Sequence, residues 1–234
     1  MKKAIVTTSW DDGHQLDVRL AEMLRKYGLQ GTFYIAPQNR EFRKSELLSD
    51  FQLRKLSDDF EIGAHTMTHP RLAQITARES DIEIGESKKY LERLLDKEVS
   101  SFCYPGGSRT FLNEQQVRKY GFRLARTIDR FALSLGRDQY ALPTSLHTYN
   151  HRSDALKIAN FADYDPKTAL HYYKHWEDLG MAMFDRVRKE GGIFHLWGHS
   201  WEIDECRYWG RLDKLFSYIS GHNDIEYKTN NELI

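Results

Sequence analysis

The chain has 234 residues, with 34 Lys and Arg against 34 Asp and Glu, ten His, 40% hydrophobic and 13% aromatic content. That length suits one large α/β domain able to bury a core without staples, and the aromatic content and charge balance exclude a disordered chain. With no net charge and no local basic patch, nothing gathers nucleic acid or anionic lipid, so the expected substrate is neutral or weakly charged.

Residues 3–8 read as a strand, and Leu16, Leu20, Met23 and Leu24 then recur at helical spacing until Gly28 ends the helix. Residues 31–36 form the next strand, 45–56 a helix, and 61–65 a short strand before the loop that holds Thr68 and Pro70. Ile84, Leu91, Leu94 and Leu95 mark the buried stripe of a long helix over 76–96. A strand at 101–104 leads into the Pro105-Gly106-Gly107 turn, followed by a helix at 113–120 and a strand at 122–127. A weaker strand signal lies at 142–146, a helix spans 169–189, and a clear strand occupies 192–196. The tail adds a helix at 204–220 and a strand at 225–228. No repeat or low-complexity linker divides the chain, so the expectation is a single catalytic domain over residues 1–234. The alternation argues for a parallel α/β barrel in preference to a nucleotide-binding open sheet, and no Gly-rich phosphate fingerprint follows any strand.

Met1-Lys2-Lys3 resembles the basic start of a signal peptide, but Thr7, Thr8, Ser9 and Asp11-Asp12 interrupt the apolar run that would have to follow. No stretch approaches a membrane span. Cys103 and Cys206 are too few for a disulfide framework and read as small core hydrophobes. The expected compartment is the cytoplasm.

Reactive groups in α/β barrels gather at the carboxyl ends of the strands. Asp11 and Asp12 follow the first expected strand, His65 and His69 the third, 104–107 the fourth, Arg126 ends the fifth, and 195–199 end the late strand. Neutral imidazoles with a carboxylate make a three-ligand metal site with a position left open. Four His-xxx-His pairs exist: His65/His69, His147/His151, His171/His175 and His195/His199. His171 and His175 read as solvent-facing on a helix, and His147 and His151 as surface or hydrogen-bonding groups in a loop. His65 and His69 differ because Gly63 and Ala64 leave the backbone room. Asp11-Asp12 reads either as a turn and helix cap or as a pair that divides labour, one acid ligating and the other taking a proton.

These motifs resemble a known family. Thr8-Ser9-Trp10-Asp11-Asp12-Gly13 is similar to its Thr-Phe-Asp-Asp-Gly signature, His65-Thr66-Met67-Thr68-His69 to its His-Ser/Thr-xx-His, Phe102-Cys103-Tyr104-Pro105-Gly106-Gly107 to its third motif, and Phe194-His195-Leu196 to its last. The family is the polysaccharide deacetylases, carbohydrate esterase family four, with the NodB-homology fold. The resemblance implies a distorted (β/α) barrel of about seven parallel strands that removes N- or O-acetyl groups with one divalent metal ion. Zinc is the first choice, with cobalt, nickel and manganese as alternatives. Carried over by position, Asp12, His65 and His69 are the ligands, Asp11 the base and His195 the general acid. The backbone near Tyr104 and Gly106 helps bind the oxyanion. The expected substrate is an acetylated amino sugar or short glycan. The alternatives are a cyclic-amide hydrolase on the same barrel and a non-catalytic carbohydrate-binding relative.

Two departures bear on that expectation. The family's third motif carries an Arg two residues before its Pro, where this chain has Cys103, and Arg126 is the candidate to supply that guanidinium from another direction, against a simple structural ion pair. The fourth, Asp-rich motif has only Asp129 as a candidate. The last motif extends into His195-Leu196-Trp197-Gly198-His199-Ser200-Trp201-Glu202, where one of Trp197 and Trp201 is expected to line the site. His199 either touches substrate or caps the turn that follows, and His14, in place of the family's usual Pro, is a possible neighbour of the mouth.

Overall fold

The computed structural model describes residues 3–234. The first strand, β1 (Ala4–Asp12), is buried at every position except Ile5, as a strand covered on both faces must be. It is followed by α1 (Asp17–Tyr27), β2 (Thr32–Ile35), α2 (Asp50–Asp59), β3 (Glu61–Ala64), α3 (Ala77–Leu95), β4 (Ser101–Cys103), α4 (Phe111–Lys119) and β5 (Leu124–Arg126). The second half contributes β6 (Leu146–His147), α5 (Ala155–Phe161), α6 (Pro166–Lys174), α7 (Trp176–Glu190), β7 (Gly192–Gly198), α8 (Ser200–Glu205), α9 (Trp209–Ile219) and β8 (Glu226–Tyr227). Strands β5-β4-β3-β2-β1-β7-β6 run parallel in that order and curl into an open, distorted half-barrel. The single bridge Arg126↔Leu142 and the Ser145 N–H donated to the His195 carbonyl span the gap between β5 and β7. No helix among the described residues is long and apolar enough to cross a membrane.

Strand β1 ends four residues later than the apolar run implies, so Asp11 and Asp12 are its last two residues and lie on the ladder itself, paired with Tyr34 and Ile35. Likewise β7 continues past Leu196 to Gly198, which leaves His195 in mid-strand opposite Thr7. The expected 45–56 helix starts only at Asp50, because Ser49 and Gln52 form a capping box there. The expected 169–189 helix breaks at His175 (φ −128°, ψ 78°). Its first half buries no residue, whereas Trp176, Leu179, Met183 and Phe184 of the second half face the core, so one continuous helix could not serve both surfaces. The expected 204–220 helix is interrupted at Arg207 (φ +56°), and α9 then buries Leu212, Leu215, Phe216 and Ile219 completely. Each such side chain stabilises the fold by about 1.5–3 kcal/mol.

Below the barrel, β8 pairs with Ile5 and Val6, the half of β1 that β2 does not reach. Just beyond it Asn230 is fully buried. Its Nδ2 donates to Thr7 Oγ1 (2.8 Å), its Oδ1 accepts from the Tyr34 hydroxyl (2.9 Å), and its N–H donates to Thr32 Oγ1 (2.9 Å). Asn230→Ala strands two of those groups without partners, so unfolding in urea is expected to lose about 2–4 kcal/mol at unchanged m-value. An unshifted midpoint would show that the tail does not tie the strands together.

Candidate metal centre

Asp12, His65 and His69 converge above the carboxyl ends of β1 and β3. Asp12 (φ +86°), Thr66 (φ +64°) and His69 (φ +66°) all hold left-handed backbone, which is costly for side chains with a Cβ and persists only where surroundings enforce it. The enforcement is visible. The Glu83 carboxylate on α3 accepts from the N–H groups of Met67 (2.9 Å) and Thr68 (2.8 Å) and from the Thr68 hydroxyl (2.6 Å), clamping the His65–His69 loop. Gly63 is obligatory beneath it, since a Cβ there would lie 2.4 Å from the Tyr34 ring and 2.7 Å from Ser101 Oγ.

His65 Nδ1 donates to the Cys103 carbonyl (2.8 Å), and His69 Nδ1 faces the Glu41 carboxylate at 3.1 Å. The first contact commits His65 to the tautomer that leaves Nε2 with a lone pair, whereas His69 Nδ1 lies close to Glu41 without completing a hydrogen bond. Those two Nε2 atoms lie 3.7 and 3.2 Å from Asp12 Oδ1, which is buried and accepts no hydrogen bond. Lone pairs facing a carboxylate oxygen repel unless a cation lies among them, so the donor set fits a divalent ion. The second Asp12 oxygen is held by the Trp201 indole N–H (2.8 Å). Burial pushes His65 down to about 4, keeping it neutral and able to ligate.

Asp11 stands beside this cluster, with one of its oxygens, a His65 nitrogen and the Cys103 sulfur within 4.8 Å of one another. Burial alone would raise its carboxyl, but the Arg126 guanidinium pairs with it and holds it down to about 2. Arg126 is the strand partner of Cys103 in the β4–β5 register, so its guanidinium arrives at the level of Cys103 from one strand over. It is fully buried and touches Asp11 and the Thr127 carbonyl, which places it behind the acid, away from any substrate.

On the β7 side the two expected histidines separate. His195 Nδ1 bonds the Pro143 carbonyl, and its Nε2 accepts from Ser9 Oγ at 2.8 Å, so both ring nitrogens are used. It pairs with Thr7, four positions before Asp11, roughly 13 Å lower on the strand. His199 follows the end of β7, with Nε2 3.9 Å from Asp12 Oδ2 and Nδ1 3.3 Å from Glu202. Burial would lower it, but Asp12, Glu202 and Asp11 together hold it up at about 9. Trp197 is 4% exposed and unavailable to a sugar ring, and Trp201 is the indole that reaches the mouth. Tyr104 is buried, with its N–H given to the Arg126 carbonyl and its hydroxyl to the Tyr140 carbonyl. In the following turn Gly107 N–H returns to Tyr104 and Ser108 N–H to Pro105, leaving Gly106 (φ +56°) as the uncommitted donor. His14 packs under the mouth against Phe42, with Nδ1 accepting from Leu16 N–H. Asp129 is tied to Thr127 and Thr144 and takes no part.

Sequence reasoning missed Glu41, Glu202 and His147. Glu202 had a local signal, three residues after His199. His147, expected as a surface or hydrogen-bonding group, is 2% exposed, bonded to His151 (2.7 Å) and 3.1 Å from Glu202. A cavity of about 940 Å³ lies on the other side of the Glu41 loop, lined by Gln38, Asn39, Phe42, Phe51, Gln52 and Tyr90, and none of the three ligands touches it.

The family model described as polysaccharide deacetylase matches residues 1–125. A Bacillus subtilis (strain 168) protein assigned by name to the polysaccharide deacetylases, YxkH, is 24% identical over 139 residues, covering 58% of this chain and 49% of its own length. This chain therefore spans about half of that relative. Among solved structures, the Streptococcus pyogenes deacetylase PplD in complex with acetate aligns at TM-score 0.55 and 21% identity over 58% of this chain and 62% of its own. A Mycobacterium smegmatis structure, likewise assigned by name to the polysaccharide deacetylases, covers 99% of this chain and 90% of its own at TM-score 0.66 and 14% identity. These likenesses establish the fold across both halves, whereas the family model stops one residue before Arg126.

Glu41 is 59% exposed at its side chain, so Glu41→Gln leaves the core intact while removing the negative charge beside His69 Nδ1. Divalent-ion affinity, measured by competition with a chelating dye, is expected to fall by roughly 10-fold or more. Unchanged affinity would remove Glu41 from the support of the ligand set.

Proposed function

The chain belongs to the polysaccharide deacetylase family, and we propose that it is a metal-dependent hydrolase removing an acetyl group from an N-acetylated amino sugar or short glycan. The observation that carries this reading is the orphaned Asp12 Oδ1 facing two imidazole Nε2 atoms, with an ionised Asp11 on one side and a charged His199 on the other. Two nitrogens and one oxygen suit zinc, and no donor in the set favours a softer ion.

Asp12, His65 and His69 would hold a divalent ion, which would supply Lewis acidity toward the acyl oxygen and a bound water. Asp11 takes the proton. Held low by Arg126, it stays ionised and is a weak base, which would suit water of lowered pKa and not bulk water. The Gly106 N–H is the backbone donor for the developing oxyanion, a contribution on the order of 3 kcal/mol in favourable cases. His199 gives its Nε2 proton to the departing amine, with Glu202 on Nδ1 keeping the ring charged and oriented. This assigns to His199 the acid role that the motif resemblance gave to His195. Carboxamides and aromatic faces in the neighbouring cavity suit sugar hydroxyls and pyranose faces, which supports a carbohydrate substrate.

Purified protein loaded with zinc is expected to release acetate from N-acetylated sugars, and chelation is expected to abolish that release. Asp11→Asn and His199→Gln should each cost on the order of 10²–10⁴-fold in kcat. His195→Asn should act chiefly on stability, and the reverse ordering of His195 and His199 would return the acid role to His195. Arg126→Gln removes the group that depresses Asp11. The acid limb of the kcat/KM profile should then move to higher pH, because the base stays protonated further up the scale. An unmoved limb would separate Arg126 from the base.

A further inference from the structure

One packed unit lies between the residues assigned to base and acid, and the chemistry above does not use it. The buried Trp197 ring has the Arg126 guanidinium carbon 4.7 Å from its centroid. The same ring carries the His147 imidazole stacked at 3.9 Å with 20° between planes. His147 Nε2 lies 3.1 Å from Glu202 Oε2, a close electrostatic contact whose angle falls short of a hydrogen bond, and His199 Nδ1 reaches the same oxygen at 3.3 Å. On its other side His147 Nδ1 is 2.7 Å from His151 Nε2.

The charge of Glu202 sets where the protons lie. An ionised carboxylate only accepts, so both imidazole nitrogens facing Glu202 carry hydrogen. Burial pushes His147 down to about 4, so the ring is neutral and has one N–H to give. With that N–H at Nε2, its Nδ1 is the acceptor, and His151 donates from Nε2. The chain reads His151 to His147 to Glu202, with His199 donating to the same carboxylate from the far side. If Glu202 were held by His199 alone, it could rotate away from the acid.

We propose that His147 and Trp197 are positioning residues: His147 anchors the Glu202 carboxylate toward His199, and Trp197 holds His147 in register with Arg126, so that acid and base are aligned by one stack. The proposal rests on the reading in which His199 delivers the proton. His147 joins the site from β6, outside every motif that carried the resemblance.

The test compares His147→Leu, which removes the donor, with His147→Gln, which returns an N–H near the Nε2 position. Acetate release by the zinc-loaded protein is expected to lose about 10–100-fold in kcat for the Leu variant with KM little changed, and to recover most of that in the Gln variant. Trp197→Leu should cost a comparable factor, and the double variant with His147→Leu should be no worse than either, since both act through one unit. Equal impairment of the Leu and Gln variants would reduce His147 to packing, and full activity in both would remove it from the site. Two zinc equivalents per wild-type chain would overturn the proposal as well, by making His147, His199 and Glu202 a second metal site. Imidazole ¹⁵N spectra decide independently of turnover. The proposal requires the Nε2–H tautomer at His147 and a displaced His199 signal in His147→Leu; an Nδ1–H tautomer or unmoved His199 signals would overturn it. Wild-type protein that releases no acetate yet shows both signatures would count against the deacetylase reading and leave the anchoring in place.

Discussion

A carboxylate with 2% of its surface exposed is ionised at a cost of several kcal/mol unless a partner and hydrogen bonds compensate it. Asp11 meets that constraint through Arg126, and much of the architecture follows from bringing the two together. In the sheet order β5 lies four strands from β1. On a flat sheet that separation would be about 19 Å. The pair is in contact because the sheet curls, so the half-barrel is a precondition of the buried ion pair. Tyr34 and Trp197, against the guanidinium, exclude the water that would otherwise weaken the pair.

The two sides of the mouth are built differently. On the β1–β3 side, ligands are held by strained backbone and by single contacts to carbonyls and carboxylates: Cys103 for His65, Glu41 for His69, Glu83 for the loop. On the β6–β7 side, aromatic stacking replaces backbone strain, and Glu202 is shared by two rings. A metal ligand must be fixed in direction before the ion arrives, whereas an acid must be fixed in both direction and charge. Charge is the reason that Asp12, Glu202 and Asp11 outweigh burial at His199, whereas at His195 burial and the Arg126 charge outweigh Asp11 and push the ring down to about 3.

Much of this was legible in the sequence where the signal is local. The Asp11-Asp12-Gly13 turn, the His65/His69 pair and the strand–helix alternation are all short-range patterns, and the capping box at Ser49 could have been read as Ser-Asp-Phe-Gln. His195 lies in mid-strand and not at a strand end because an apolar run marks where a strand is buried and not where it ends. Polar residues continue both β1 and β7, and register decides which histidine reaches the mouth. His147 looked like a loop residue because β6 is two residues long, too short to leave a periodicity. Glu41 and Arg126 act across strands and loops, a relation that spacing along the chain does not encode.

Strand β1 is made first and lies between β2 and β7, so its second edge waits for residues 192–198. At ordinary rates of peptide synthesis that edge stays unpaired for roughly 10–40 s. During that interval the nascent chain carries an aliphatic and aromatic strand with a free row of amides, ending in two acids whose buried counter-charge, Arg126, is made more than a hundred residues later. The topology that makes the mature site compact thus makes the growing chain dependent on protection against misplaced strand pairing.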